Sequence, residues 1–216
     1  MNAGRMPMRQ VMAVLRRAIP DVGKWWPGES RFEILVGAVL TQNTTWVSVE
    51  KALDNLRVLG LLNPEALRDA SQVVIGEAIR PSGYWRTKAE YLLAITDWFL
   101  AFDDSAQAMD DAELRASLLG VRGVGEETAD DILLYAYGRG TFIYDAYGRR
   151  LLEAAGWGEY RTYKQARMAC DSAIRSEGFS VEEYGLLHGL IVQAGKDARA
   201  AGGWGVYWPR IVGAGA

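Results

Sequence analysis

Cysteine and histidine are almost missing from this chain of 216 residues, which holds one of each, Cys170 and His188. A single thiol excludes an internal disulfide and any site built on several thiolates. Long apolar runs are missing as well. The longest, Ile34 to Leu40, spans seven residues, against the roughly 20 that cross a membrane. The start, Met1 to Gln10, has no apolar stretch of the kind a secretory signal needs. Proline is scarce, six residues in all and none between Pro81 and Pro209, so nothing in that stretch forbids helices. Neither sign of charge dominates: Lys and Arg number 24, Asp and Glu 27, for a formal net charge of −3. Taken alone, that balance weighs mildly against a nucleic-acid partner, whose phosphates are met by Lys and Arg. A local basic face can still coexist with acidic helices. A soluble cytoplasmic protein without membrane association is expected.

What the chain does contain is core material. Half of its residues are hydrophobic and 24% are charged, the balance of a globular protein, and its length suits one domain or two small ones. Apolar residues recur at three and four, the helical period: Val11, Leu15 and Ile19; Leu53, Leu56 and Leu59; Tyr91, Ile95, Trp98 and Phe99. Asn63-Pro64 puts a capping side chain before a proline at the first helical position, and Arg80-Pro81 closes the preceding helix. Gly60, Gly120 and Gly138 suit helix C-termini in the left-handed conformation. The fold class is therefore all-α, with about ten helices of roughly 8–20 residues. Only Thr141 to Tyr144 reads as extended. The acidic group Asp110, Asp111 and Glu113 fits a helix start, where it serves the dipole. His188 fits a hydrogen-bonded structural histidine and Cys170 a buried small side chain.

The segment Leu118-Leu119-Gly120-Val121-Arg122-Gly123-Val124-Gly125-Glu126-Glu127-Thr128 runs from a helix end through a glycine pair into another helix. Gly123 and Gly125 permit a tight turn and close approach to a partner, Val124 plugs the turn into the core, and the next helix opens with N–H groups that favour a phosphate. The same pattern also fits a plain helix–helix turn, with Glu126 and Glu127 serving their own helix. Further on, Phe142-Ile143-Tyr144-Asp145-Ala146-Tyr147-Gly148 places an acidic residue at a helix start. By itself, Asp145 there reads as an N-cap.

Glycine hairpin, helix, extended segment and Asp145, in that order, resemble the helix-hairpin-helix (HhH-GPD) DNA glycosylase superfamily, of which endonuclease III is the familiar member. The likeness extends upstream. Phe32-Glu33-Ile34-Leu35-Val36-Gly37-Ala38-Val39-Leu40-Thr41-Gln42-Asn43-Thr44-Thr45 looks like that family's first barrel helix and DNA-wedging loop. Pro81-Ser82-Gly83-Tyr84-Trp85-Arg86-Thr87-Lys88-Ala89 looks like the second wedge loop. The resemblance implies that Asp145 is catalytic and that Gly123, Val124, Gly125 and Thr128 grip the DNA backbone. It implies too that Gln42 and Tyr84 fill the gap left by a flipped base; a helix-capping or surface amide for Gln42 and barrel packing for Tyr84 are the plainer alternatives. It further implies two helical lobes, residues 30–139 as a six-helix barrel and 1–29 with 140–216 as a discontinuous second domain, with Asp145 at the cleft. Hairpins of the family often hold a monovalent cation, sodium or potassium, on backbone carbonyls, here those of Leu119, Val121 and Val124.

Three departures from the family pattern narrow the expectation. Glu127 stands where strand-cleaving members carry a lysine, and a carboxylate cannot form the imine that lyase chemistry needs, so β-lyase activity is expected to be weak or absent. The C-terminal tail lacks the four cysteines that hold an iron–sulfur cluster in many relatives, and one thiol cannot replace them; no iron–sulfur cluster or other cofactor is expected beyond the hairpin cation. Aromatic Trp204, Tyr207 and Trp208 can fill that volume. Third, Trp25-Trp26-Pro27 precedes the first barrel helix. A tryptophan pair by itself fits core or surface packing, but here it resembles the bacterial 3-methyladenine DNA glycosylase III branch, where aromatic residues of this segment stack on the extrahelical base. Lys196 corresponds to a lysine of that branch's C-terminal helix.

The chemistry gives such a pocket a reason. A purine methylated at N3 is cationic and already a good leaving group, so a general acid is dispensable. Stacked indoles recognise a flat cation, and Asp145 supports the sugar as it turns cationic and orients or deprotonates water. The expected protein is a monofunctional base-excision-repair glycosylase for alkylated purines in double-stranded DNA, a monomer associated with a bacterial nucleoid. The alternatives are an endonuclease III-like glycosylase for oxidised or mismatched pyrimidines, and a DNA-damage-binding homologue that no longer cuts.

Overall fold

The computed structural model describes residues 4–23, 25–26 and 28–214. Every regular element among the described residues is helical: twelve α-helices and one short 3-10 turn. The chain divides into two compact units, one from Trp26–Arg139, the other from Met1–Trp25 together with Gly140–Ala216.

In the first unit, α2 (Arg31–Leu40) starts on Ser30, whose side chain accepts the Glu33 N–H, and it is apolar nearly all round. A helix with no polar face belongs at the centre of a core. Helices α3 (Trp46–Val58), α4 (Pro64–Asp69) and α5 (Gln72–Ala78) start on Thr45, Asn63 and Ser71, each accepting an N–H of its own first turn. Pro64 occupies the first turn after Asn63, as the dipeptide predicts. The closure expected at Arg80-Pro81 takes a specific form, since α5 ends at Ala78 and Arg80–Ser82 forms the 3-10 turn. The 22-residue α6 (Trp85–Ala106) is the strut against which α2, α4 and α5 pack. Next, α7 (Asp111–Leu119) opens with a reciprocal cap between Asp110 and Glu113, the part expected of that acidic group. The unit closes with α8 (Glu126–Tyr135).

Several charged side chains enter this unit in pairs, which offsets the cost of desolvating an ion. The Arg31 guanidinium donates to both oxygens of Asp103, at 3.0 and 2.7 Å, and the Tyr137 hydroxyl donates to the same carboxylate at 2.8 Å. Burial, then that bond, pushes the Tyr137 phenol well above its ordinary range. Arg115 on α7 donates to Asp130 on α8 at 2.6 Å, fastening the two helices on either side of the glycine turn.

The second unit consists of α1 (Met8–Ala18), α9 (Ala146–Ala154), α10 (Tyr163–Arg175), α11 (Val181–Ala200) and α12 (Trp204–Gly213). Helices α1, α9 and α12 lie against α11, which is buried along most of its length. Chain ends are fastened to each other by direct bonds. The N–H groups of Met8 and Arg9 donate to the Glu177 carboxylate at 2.8 and 2.7 Å, and Arg17 donates to the Ile211 carbonyl at 3.1 Å. In the tail, Tyr207 and Trp208 are buried and Trp204 packs at their edge. Cys170 is buried, which pushes its thiol up, in keeping with a packed rather than a reactive side chain. No helix among the described residues is long and apolar enough to cross a membrane.

Candidate functional site

The glycine hairpin lies between α7 and α8. Gly60 and Gly138 take the left-handed conformation expected of them, at φ +69° and +63°, but Gly120 does not: it caps α7 at φ −73°, a conformation open to any residue. The left-handed turn belongs instead to Gly123, at φ +89°. A Cβ there would fall 2.1 Å from the Tyr91 ring, so both the backbone and the space demand glycine. Val124 is buried in the core, as expected of a plug, and its N–H donates to the Val121 carbonyl at 3.1 Å. Gly125 starts α8 without a side-chain cap, the arrangement in which a phosphate can take the cap's place. Glu127, in the first turn of α8, is exposed. Thr128 is buried, with its hydroxyl turned inward.

The partner of that hydroxyl is Gln42. Its amide donates to the Gly123 carbonyl at 2.8 Å and to Thr128 Oγ1 at 3.1 Å, so this side chain ties the α2–α3 loop to the hairpin. The residue exposed beside it is Asn43, at φ +54°. In the second loop, Tyr84 stands 71% exposed at φ +47°, following Gly83 at φ +70°. Trp26, at φ +58°, is the third non-glycine residue with positive φ among the described residues. Such backbone costs on the order of 1–3 kcal/mol per residue and concentrates where function requires it. All three fall in the segments that the sequence singles out, and no sequence signal marks Asn43 ahead of Gln42.

Lys88 lies beneath both loops. It is 2% exposed, and its ammonium donates to the carbonyls of Leu40 and Ser82, each at 2.8 Å. Burial lowers its pKa from 10.5 to about 8. The folded protein therefore binds fewer protons at this group than the unfolded chain does between those two values, and stability conferred through it rises with pH across that window. Urea midpoints measured from pH 7.5 to 10.5 are expected to rise for the wild type relative to Lys88→Met. Parallel curves would show that the group titrates normally.

Trp25 and Trp26, adjacent in sequence, fall in different units. Trp26 stacks on Tyr135, with ring centroids 4.8 Å apart and planes 14° from parallel, and Trp46 lies 5.5 Å away at 56°. The sequence gives no reason to pick out Trp46, which is one more helix-start residue there. Trp25 covers Gly189, where a Cβ would come within 2.9 Å of its ring, and meets His188 edge-on at 5.8 Å. Its indole N–H is buried and has no hydrogen-bond partner among the described residues. Pro27 lies outside the described residues.

Asp145 is the N-cap of α9. Its Oδ1 accepts the Gly148 N–H at 2.6 Å, and its side chain is 13% exposed. Gly148 is required by this cap, since a Cβ there would sit 2.6 Å from the Ile143 carbonyl. Oδ2 faces the His188 Nε2 at 3.9 Å. His188 thus borders the predicted catalytic carboxylate, which a place on an apolar helix does not reveal. The only sequence signal is indirect: two glycines in α11, Gly189 and Gly195, each make room for an aromatic ring, those of Trp25 and Tyr147. Lys196, next to Gly195, is exposed. Arg149 donates to the Tyr144 carbonyl at 2.7 Å, while Arg150 is exposed.

Comparison with known proteins assigns the chain to a class of DNA repair protein. Residues 36–176 match the family described as HhH-GPD superfamily base excision DNA repair protein. A protein of Methanocaldococcus jannaschii named as a DNA repair glycosylase is 37% identical over 175 residues, 78% of either chain. Endonuclease III of Sulfolobus acidocaldarius is 28% identical over 167 residues, 76% of this chain and 72% of its own. Among solved structures, H. pylori 3-methyladenine DNA glycosylase bound to 1,N6-ethenoadenine superimposes with a TM-score of 0.77 at 25% identity, covering 89% of this chain and 98% of that one. The chain belongs to the HhH-GPD superfamily of base excision DNA repair proteins and is a DNA glycosylase of that family.

Proposed function

We propose that this glycosylase excises alkylated purines such as 3-methyladenine by hydrolysis and leaves the DNA strand intact. The observation that carries this reading is the aromatic cluster of Trp26, Trp46 and Tyr135. Electron-rich ring faces attract a flat cation, by about 0.5–2 kcal/mol depending on desolvation, and an N3-methylpurine is such a cation. Trp25, Pro27 and Lys196 are assigned to the same recognition task. Because the alkylated base leaves readily, the protein has to support the sugar rather than protonate the base. That role falls to Asp145: one oxygen is held by the Gly148 N–H, which fixes the carboxylate, and the other serves the cationic sugar and the attacking water.

The base must first leave the stack, at a cost of a few kcal/mol. Tyr84 and the Gln42–Asn43 corner are assigned to filling the gap, Gln42 anchoring the corner to the hairpin. Gly123, Val124, Gly125 and Thr128 bring the α8 N-terminus to the phosphates, and the carbonyls of Leu119, Val121 and Val124 suit a monovalent cation. The Val121 oxygen accepts one N–H and keeps its second lone pair for such an ion, which would add positive charge next to the phosphate. With Glu127 in the lyase-lysine position, no imine forms there, and the single cysteine holds no iron–sulfur cluster. The protein acts on double-stranded DNA as a monomer.

The test is base release from methylated duplex DNA, with thymine glycol and uracil duplexes as competitors. Free methylpurine is expected, with abasic strands that stay uncut until treated with alkali and no adduct trapped by borohydride. Preferential release of a pyrimidine would transfer the assignment to an endonuclease III-like specificity. Tight binding to an abasic-analogue duplex with no base released at any enzyme excess would make the protein a damage sensor.

A further inference from the structure

We propose that Lys88 is a positioning residue that couples the two wedge loops, so that they enter the duplex together; this rests on the wedge assignment above. Leu40 is the last residue of α2 and Ser82 the last of the 3-10 turn. Their carbonyls are therefore of the kind that a helix end leaves without an internal partner and that carry the negative end of its dipole. Lys88 bonds to both, each at 2.8 Å, from a position with almost no solvent contact. An apolar side chain of similar length would fill the same space without the cost of burying an ammonium. What the ammonium adds is a single point to which both carbonyls are held.

The chain distances on either side are short. From Leu40 it is two residues to Gln42 and three to Asn43; from Ser82 it is two to Tyr84. Gln42 bonds the first loop to the hairpin, and Tyr91, about one turn along α6 from Lys88, supports Gly123 from beneath. The start of α6 thus underlies both loops and the turn that grips the backbone. With Lys88 in place, a displacement of either loop is carried to the other through one buried atom, and the hairpin follows through Gln42. Without it, the first loop keeps its bonds to the hairpin through Gln42, but the buried point shared with the second loop is gone.

The experiment uses the full chain and a duplex with a tetrahydrofuran abasic analogue beside 2-aminopurine, whose fluorescence rises when its stack is broken. This probe has no damaged base to release, so it reports wedge insertion whatever the lesion specificity. Wild-type protein is expected to raise the fluorescence several-fold. Lys88→Met should bind the same duplex within about threefold, because phosphate contacts set the affinity, yet lose most of the rise. Lys88→Arg, which retains the charge and can donate to two carbonyls, should restore more than half of it. Circular dichroism establishes that each variant is folded; if Lys88→Met is not, Lys88→Gln, whose amide stops one bond short of the carbonyls, is measured instead with the same expectation. A folded variant that retains the full rise overturns the role of Lys88 alone. A wild type that causes no rise overturns the wedge assignment and the coupling with it, and neither result bears on which base is released.

Discussion

Asp145→Asn is expected to slow methylpurine release by about 10²–10⁴-fold, the usual contribution of a positioned acid or base, while leaving the fold and duplex affinity unchanged. The separation is possible because the oxygen that caps and the oxygen proposed to act on the sugar are different atoms of Asp145. Oδ1 caps α9 through the Gly148 N–H, and an asparagine oxygen caps a helix about as well as an aspartate. The ionisable function is lost and the cap is kept. Asp145→Ala would confound the two, since losing a cap costs about 1 kcal/mol by itself. Single-turnover base release, read beside the thermal midpoint and the affinity for an abasic-analogue duplex, distinguishes them. If the Asp145→Asn protein released base at a rate close to that of the wild type, Asp145 would be a cap and nothing more.

Gly123→Ala should be the most damaging small substitution in the hairpin. An alanine methyl would be placed 2.1 Å from the Tyr91 ring on a backbone at φ +89°. Forcing a side chain into that conformation costs on the order of 1–3 kcal/mol, and overpacking adds a similar amount. The turn can relieve both only by moving, which shifts Val124 and the start of α8. Stability and duplex binding are expected to fall together. Gly125→Ala is the matched control: φ is −93° and a Cβ there meets nothing within 4 Å, so its stability should stay within about 0.5 kcal/mol of wild type. Urea midpoints and binding at one fixed salt concentration measure both. Equal effects at the two glycines would mean that the Tyr91 contact does not constrain the turn.

These contrasts show what a sequence can and cannot disclose. Asn63-Pro64 and the Asp110 cap are legible because a helix start is decided by residues a few positions apart, and local chemistry is written locally. Gly123 and Gly125 look equivalent on paper; only Tyr91, on another helix, makes one indispensable. Gly120 fits a left-handed cap by type, yet the continuing turn holds it in a right-handed one. Gln42 and Asn43 are adjacent amides of like character, and the hairpin carbonyl that engages one and leaves the other exposed lies 81 residues away. His188 beside Asp145, Trp46 beside Trp26, and Lys88 between two carbonyls are likewise long-range facts, invisible to periodicity. The glycosylase pattern itself is legible because its motifs fall in a fixed order along the chain.

The unit that holds Asp145 is assembled from both ends of the chain, and this sets a clock during synthesis. Arg17 bonds to the Ile211 carbonyl, a partner 194 residues further on. At about 5–20 residues per second, helix α1 leaves the ribosome roughly 10–40 s before that partner exists. Trp26–Arg139 is complete long before then and can fold on the nascent chain, glycine turn included. A ribosome stalled in the last helices would thus present a formed hairpin while the unit that seats Asp145 is still incomplete.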